Sequence, residues 1–168
     1  MLADTIALLS RTPAALDALL RDLPETWTNR NEGDGTWNVR EVIGHLVEGE
    51  KTDWIPRARI ILEYGESRPF DPFDRTPIRG ELPELLDEFA ELRAKNLDTL
   101  RSLDLDLSRR GRHPALGVVT LGQLISTWAA HDLTHLHQIA RAMAYQYRNE
   151  IGPWVRYMGV YACNGHSE

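Results

Sequence analysis

The chain has 168 residues, of which 42% are hydrophobic and 26% are charged, and its formal net charge is -6 at pH 7. This length predicts a single domain over residues 1–168 that buries a substantial core. An acidic chain without a basic stripe is unlike nucleic-acid-binding proteins, which need positive charge to neutralise phosphates. Composition and charge therefore argue against a protein that binds nucleic acid.

Neither a membrane span nor a disulfide framework is expected from the sequence. No stretch approaches the run of about 18 apolar residues that a spanning helix needs, and polar residues interrupt the first 20 positions. The single cysteine, Cys163, has no partner for an internal disulfide, which fits a reducing compartment. We therefore expect a cytoplasmic protein that makes no contact with a membrane.

The N-terminal segment is predicted to be helical. Apolar residues recur at helical spacing over residues 2–23, with one interruption at Thr12 and Pro13. Threonine before proline is a common pair of N-cap and first-turn residues, so either the helix kinks there or a short piece precedes it. Residues 24–37 contain several helix-breaking residues and are predicted to form a loop.

A second helix begins after Asn38, which forms a capping-box pattern with Glu41. His45 falls on the edge of the apolar stripe of this helix, and Glu48 projects toward the same side. Pro56 is expected to bend the helix before it continues. The apolar stripe and its continuation consist of Val39, Val42, Ile43, Leu46, Ile60, Ile61 and Leu62.

Three prolines and two phenylalanines lie in residues 65–82, which we interpret as an ordered crossover loop, because structureless loops of that length are uncommon. Pro83 then opens a third helix. Its buried side is predicted to consist of Leu85, Leu86, Phe89, Leu92, Leu97 and Leu100.

A second loop is predicted over residues 104–119, and its basic cluster is expected to be solvated. Thr120 and Gln123 form another capping box, which starts a fourth helix that runs to about Tyr147. A short terminal helix follows after residue 152. The packing residues of this terminal helix are expected to be Trp154, Tyr157 and Tyr161. The basic cluster of the loop over residues 104–119 comprises Arg109, Arg110 and Arg112.

No segment shows the sustained alternation that is typical of strands. The predicted fold class is therefore all-α, a four-helix bundle with one long crossover and a short C-terminal fifth helix. In such bundles, binding sites are built from side chains on facing helices.

The fourth helix carries two histidines with the spacing of a metal site. Residues four apart on a helix have Cβ atoms about 5–6 Å apart, so His131 and His135 point into the same space. His137 projects about 200° away from His135 and should face solvent. The same spacing occurs in the zinc-binding HExxH helix, but position 132 is aspartate, which argues against a metalloprotease.

A histidine pair alone is more often a bystander or a hydrogen-bonded pair than a metal site. If the second helix faces the fourth, His45 comes close to His131 and His135. Three imidazoles leave an open position for water or substrate, which is typical of a catalytic metal site, and neutral nitrogen ligands suit Zn, Ni, Co or Fe(II). The alternative for His45 is a hydrogen bond to a neighbouring carboxylate.

Several neighbouring residues are weaker candidates. Glu48 could face the pocket, Trp128 could wall it or pack in the core, and Gln138 projects onto the face of His131 and His135. Asp132, like Glu48, is expected to be a solvated acid rather than a ligand. His113 and His166 are expected to lie in a loop and in the polar tail.

The segments TWNVREVIGHLVEGE (residues 36–50) and HPALGVVTLGQLISTWAAHDLTHLHQIARAM (residues 113–143) resemble the DinB/YfiT superfamily. The resemblance extends over nearly the whole chain. It implies an up-down-down-up four-helix bundle and a divalent metal held by three histidines, which here would be His45, His131 and His135.

The same superfamily includes S-transferases that use low-molecular-weight thiols and metal-dependent hydrolases, and its members often form dimers. The superfamily also includes many members with no known reaction, and the first hypothesis is an enzyme in which the metal activates a small thiol or water for attack on an electrophilic small molecule. A different hypothesis is a non-catalytic metal- or ligand-binding module with a role in stress response. A third is a helical dimerisation domain whose histidines bind no metal. Cys163 has no obvious part in any of these.

Overall fold

The computed structural model describes residues 2–162. The helices are α1 (Leu2–Leu9), α2 (Thr12–Leu20), α3 (Glu25–Thr28), α4 (Val39–Thr52), α5 (Trp54–Tyr64), α6 (Leu82–Ser102) and α7 (Leu121–Tyr145). Two strands, β1 (Arg110–His113) and β2 (Gly117–Thr120), form an antiparallel hairpin. Short 3-10 helices are found at Gly65–Ser67, Gly152–Tyr157 and Gly159–Tyr161.

Two clusters of buried side chains, one at each end of the bundle, show how the helices run. The first cluster includes Leu9, Trp54, Ile61, Leu97, Leu100, Leu121 and Trp128. The second includes Leu16, Leu20, Val39, Val42, Leu85, Leu86 and Ile139. The chain therefore runs from the first cluster to the second in α1–α2 and α7, and in the reverse direction in α4–α5 and α6. This is the predicted up-down-down-up bundle. Because α4–α5 and α6 run in the same direction, the long crossover at residues 65–81 is needed to connect them.

Two capping boxes start the helices that carry the histidines, as the sequence predicted. The Asn38 side chain accepts the Glu41 backbone N–H at 2.9 Å, and Glu41 accepts the Asn38 N–H at 2.8 Å. Thr120 and Gln123 repeat the arrangement at 3.1 and 2.8 Å. Each box satisfies N–H groups that have no partner within the helix, and so places the first turns of α4 and α7.

Both predicted helix interruptions are present, although each lies slightly away from the expected residue. Arg11 rather than Thr12 occupies the N-cap of α2, without a side-chain cap bond. The bend expected at Pro56 is a break at Asp53, between α4 and α5. The position follows from chemistry, since Pro56 has no N–H to donate to the carbonyl of residue 52.

The crossover at residues 65–81 is an ordered segment that packs on α4. Its Ile78 carbonyl lies so close to Gly44 that a Cβ there would be 2.1 Å from the oxygen. Phe70 is buried, and its N–H donates to the Arg112 carbonyl at 3.0 Å. This packing brings the crossover against the helix that carries His45.

The hairpin β1–β2 lies where the sequence predicted a loop. That prediction was wrong because four-residue strands of this polarity are too short to show an apolar alternation. The three arginines of the basic cluster are exposed, as expected, and two of them also make contacts. Arg109 donates to the Ile61 carbonyl at 3.1 Å, and Arg110 pairs with Glu66 at 3.0 Å.

The C-terminal segment forms 3-10 turns rather than the predicted fifth helix. Trp154 and Tyr157 are 65% and 71% exposed, so the prediction that they pack was wrong. Tyr161 does pack, and its hydroxyl donates to the Ala144 carbonyl at 2.7 Å. Cys163 and His166 lie outside the described residues.

Within residues 2–162, no helix combines the length and the apolar character that crossing a bilayer requires.

Candidate metal centre

Three histidine side chains from two helices converge inside the bundle. The Nε2 atom of His131 lies 3.1 Å from Nε2 of His45 and 3.0 Å from Nε2 of His135. His45 comes from α4, and the other two come from adjacent turns of α7. One ligand atom from each residue lies within 4.8 Å of the others.

The spacing of these nitrogens suits a single transition-metal ion. Zn–N distances of about 2.0–2.1 Å and a tetrahedral angle place two imidazole nitrogens about 3.3 Å apart. The separations of 3.0 and 3.1 Å are within a few tenths of an ångström of that value. The ligand atoms of His45 and His135 lie within 4.8 Å of each other, so one ion could touch all three nitrogens once the rings move toward it.

The hydrogen bonding of His45, His131 and His135, which we call the trio, also supports a site for one metal ion. His135 Nδ1 donates to Gln138 Oε1 at 2.8 Å, which leaves the lone pair of its Nε2 directed at the other rings. The Nδ1 atoms of His45 and His131 are buried and have no hydrogen-bond partner among the described residues. A neutral imidazole has one lone pair, and only a cation would accept lone pairs from all three Nε2 atoms.

Burial keeps these imidazoles neutral, which is the form that binds a metal. Burial, with smaller contributions from the charges of His135 and Arg75, lowers the pKa of His45 to about 3. Burial and the neighbouring His135 and His45 lower the pKa of His131 to about 2. The pKa of His135 is also lowered by burial, although Gln138 opposes the change.

Aromatic rings contact His45 and His131 from several sides. Trp37 packs on His45 with ring centroids 4.8 Å apart, and Phe73 meets the same ring edge-on at 5.3 Å. Trp54 meets His131 at 5.1 Å and stacks on Trp128 at 5.7 Å. Trp128 is thus a buried residue behind the Trp54 wall.

A buried ionic network lies next to the histidines and joins the helices that carry them. Arg93 on α6 donates to Glu50 on α4 at 2.8 and 3.0 Å and to Asp132 on α7 at 2.7 and 2.9 Å. Asn96 and the Trp128 indole N–H also donate to Glu50, at 2.9 Å each. Each buried carboxylate thereby has partners for its charge.

The expectation that Asp132 is a solvated acid was wrong, because it is 1% exposed and paired with Arg93. The sequence does carry a signal for this network. Asp132 follows buried Trp128 by four residues, and Arg93 follows buried Phe89 by four, so charged residues occupy core positions of two helices. Opposite charges at such positions predict a buried pair.

A cavity of about 630 Å³ opens beside the histidines. His45 and His131 form part of its wall, whereas His135 is fully buried behind them. The apolar wall includes Trp37, Trp54, Phe70, Pro72, Phe73, Leu116 and Val119. A metal at the three nitrogens would face this cavity, whose size suits a small organic molecule.

The sequence analysis did not identify the polar residues that line the cavity. Asp53, Arg57, Arg75 and His113 all line it. Asp53 occupies the break between α4 and α5, forms an ion pair with Arg57, and makes no side-chain cap bond. Burial outweighs the attraction of Arg57 and raises the pKa of the Asp53 carboxyl to about 6. The sequence did carry a signal for Asp53, because an aspartate three residues before the helix-bending Pro56 lies where the helix is interrupted.

Other candidates from the sequence lie elsewhere. Glu48 is half-buried and is absent from the residues that line the cavity, so it is not a pocket residue within the described structure. His137 is half-buried rather than fully exposed, and it is not part of the trio. His113 was expected in a loop but ends β1, and its Nδ1 accepts two backbone N–H groups at 3.1 Å.

Comparison with known proteins identifies proteins that are similar to this chain. A protein of Oceanobacillus iheyensis named "Putative metal-dependent hydrolase" is 27% identical over 146 residues, which cover 76% of this chain and 77% of that protein. A solved structure, described as "YfiT from Bacillus subtilis is a probable metal-dependent hydrolase with an unusual four-helix bundle topology", superposes with a TM-score of 0.71. It is 22% identical, covers 89% of this chain and 87% of its own, and supports the fold alone. The sequence model of the DinB superfamily matches residues 8–139, and the chain therefore belongs to the DinB superfamily.

Proposed function

We propose that this protein is a metal-dependent hydrolase in which His45, His131 and His135 hold one divalent transition metal. The observation that carries the proposal is the convergence of three Nε2 atoms at the wall of a cavity of about 630 Å³. The name of the Oceanobacillus relative supports the same reaction class. The neutral nitrogen donors suit Zn, Ni, Co or Fe(II).

A divalent metal in this place would act as a Lewis acid toward a substrate carbonyl and would lower the pKa of water or of a thiol. The protein supplies the rest of the site. Gln138 Oε1 accepts a hydrogen bond from His135 Nδ1–H, which fixes the tautomer that directs the Nε2 lone pair to the metal. The aromatic wall limits access of bulk water to the reacting groups.

Asp53 is the group that we assign to proton transfer. It lines the same cavity as His45 and His131, and Arg57 holds its carboxylate. A pKa raised to about 6 lets it accept a proton at neutral pH and release it again. In this mechanism Asp53 takes the proton from the attacking water and passes it to the leaving group.

The same centre suits a second reaction, the transfer of a low-molecular-weight thiol to an electrophile. The observation that supports it is the size of the cavity, because about 630 Å³ has room for a small thiol together with an electrophilic molecule. A metal site with an open position can activate a thiol as well as water. Cys163 has no role in this proposal.

Elemental analysis of protein purified without a histidine tag tests the metal site. The wild-type protein is expected to contain about one transition metal per chain, and the His45→Ala and His131→Ala variants little. His137→Ala is the matched control, since His137 lies on the same helix outside the trio, and it should retain the metal. Wild-type protein that takes up no Zn, Ni or Fe(II) would overturn the proposal.

Activity assays distinguish a hydrolase from a thiol transferase and from a non-catalytic binding module. Metal-loaded protein is expected to hydrolyse aryl esters, and chelator treatment should abolish the reaction until metal is restored. Reaction of 1-chloro-2,4-dinitrobenzene with added thiols, in the absence of ester hydrolysis, would identify the transferase instead. Metal-loaded protein with neither activity would indicate a non-catalytic binding module.

A further inference from the structure

We propose that the cavity selects anionic small molecules with an apolar, preferably aromatic, body, and that Arg75 is the main anion-binding residue. The inference rests on the proposed function, because the bound molecule would be the substrate of the metal centre. It names the substrate class of that centre. The anion is a carboxylate or a phosphate, which share the same chemistry at a guanidinium group.

The charges that line the cavity do not cancel. Arg57, Arg75 and Asp53 are the arginine and carboxylate residues that line it. Asp53 forms an ion pair with Arg57, so these two charges offset each other. Arg75, an exposed residue that lines the cavity, remains as an excess positive charge, although the chain as a whole has a net charge of -6. A positive cavity in an acidic protein attracts anions and concentrates them at the site.

Acidic neighbours on the crossover do not neutralise Arg75. Within residues 2–162, Arg75 takes part in no ion pair, and no described residue forms a side-chain hydrogen bond with it. Asp74 accepts the Thr76 backbone N–H at 2.9 Å, and Asp71 lies 3.8 Å from Arg68. The Arg75 guanidinium therefore retains its donors for a ligand.

Arg75 lies where an anion would also be close to the metal centre. It lines the same cavity as His45 and His131. A molecule held by Arg75 would therefore share the cavity with His45 and His131. This position makes Arg75 a substrate-binding residue and leaves the reacting bond to the metal and Asp53.

The rest of the cavity favours a planar apolar body. Trp37, Trp54, Phe70 and Phe73 line it, and the Arg57 guanidinium lies over the Phe70 ring, 5.2 Å from its centroid. Aromatic side chains stack with planar ligands, and burial of an apolar body in such a wall is favourable. An aryl carboxylate or an aryl phosphate meets both requirements.

Binding of two isosteric probes tests the proposal without relying on turnover. We expect 2-naphthoate to bind at least about tenfold more tightly than neutral 2-naphthamide, as measured by calorimetry or by quenching of tryptophan fluorescence, since a charge-assisted hydrogen bond contributes on this scale. Arg75→Gln should weaken 2-naphthoate binding by about the same factor and leave 2-naphthamide unchanged. Arg79→Gln is the control, because Arg79 is an exposed arginine of the same crossover that does not line the cavity.

The measurement is made with zinc-loaded and with chelator-treated protein, because a carboxylate can also bind the metal directly. A preference for 2-naphthoate that persists without metal and depends on Arg75 supports the proposal. A preference that disappears on chelation, or that Arg75→Gln leaves intact, overturns it. Equal binding of 2-naphthoate and 2-naphthamide also overturns it. Tight binding of 2-naphthyl phosphate through Arg75 would make phosphate the preferred anion of the same site.

Hydrolysis of 4-acetoxybenzoate and of its methyl ester then links the site to the reaction. The zinc-loaded protein is expected to show a higher kcat/KM for the charged ester, and Arg75→Gln should remove this difference, mainly through KM. Selective probe binding without any hydrolysis would overturn the proposed function alone. Hydrolysis without charge selectivity would overturn only the anion site.

Discussion

The hydrogen bond from His135 Nδ1 to Gln138 is the only side-chain hydrogen bond that a described residue outside the trio makes to the three imidazoles. We expect Gln138→Ala to weaken zinc binding by about 10–100-fold, because groups that orient metal ligands typically contribute this much. Competition with a fluorescent chelator measures the affinity. Gln138→Glu retains an acceptor and should bind zinc more tightly than Gln138→Ala. Equal affinities for wild type and Gln138→Ala would contradict the assigned role.

Asp53 is expected to make stability depend on pH in chelator-treated protein. Its carboxyl pKa rises from 3.8 to about 6 on folding, so its contribution to stability is complete below about 4 and is lost as the pH rises through 6. Relative to Asp53→Asn, the wild-type free energy of unfolding should therefore fall by about 2–3 kcal/mol between pH 4 and pH 7. Urea denaturation of both proteins at each pH measures the difference. A difference that does not change with pH would contradict the raised pKa.

At the scale of secondary-structure elements, the contact between α4 and the crossover positions one wall of the cavity. The crossover contributes Phe70, Phe73 and Arg75 to that wall, and the Ile78 carbonyl packs against Gly44. The close approach depends on the absence of a side chain at Gly44. Its neighbour in sequence is His45, so the same contact aligns the crossover with the candidate metal centre.

Gly44→Ala is expected to displace the crossover and to destabilise the protein by about 1–3 kcal/mol, because a Cβ 2.1 Å from a backbone oxygen forces the backbone to move. Urea denaturation and limited proteolysis of residues 65–81 measure the two effects. Gly49→Ala on the same helix is the control. Its Cβ would lie 3.4 Å from Trp54 Nε1, so this variant should be neutral or more stable. Equal effects of the two variants would show that the close contact is unimportant.

Across the whole molecule, Arg93 joins four helices. Its guanidinium donates to Glu50 on α4, to Asp132 on α7 and to the Leu9 carbonyl at the end of α1. Glu50 and Asp132 are 2% and 1% exposed, so loss of Arg93 would leave two buried carboxylates without their counterion. The network thus fixes α4 and α7, which carry the three histidines, relative to each other.

Arg93→Met is expected to lower the free energy of unfolding by about 3–5 kcal/mol, because it leaves two buried carboxylates without a counterion. Lys51→Met is the control. It breaks a pair with Glu88 whose side chains are 36% and 40% exposed, and it should cost less than about 1 kcal/mol. The triple variant Glu50→Gln, Arg93→Met, Asp132→Asn should be more stable than Arg93→Met alone. A triple variant of lower stability would show that lost packing, rather than unpaired charge, causes the effect.

The features that the sequence predicted correctly depend on interactions between residues close together in the chain. The capping boxes at Asn38 and Thr120 join residues three apart, and the placement of His131 and His135 on one face follows from helix geometry alone. The long crossover followed from its prolines and its length. The predicted loop that forms β1–β2, and the predicted packing of Trp154 and Tyr157, failed because neither segment has a periodic pattern that local rules could use.

What the sequence determined by itself was the set of main helices, the order in which they form an all-α bundle and the pairing of His131 with His135. Only the tertiary structure decided that His45 meets this pair across 86 positions of sequence, that Asp132 lies buried beside Arg93, and that Asp53 and Arg75 share one cavity. The physical reason is the range of the interactions. Helices and caps depend on neighbouring residues, whereas a cavity and a buried charge network depend on how distant segments pack and exclude water.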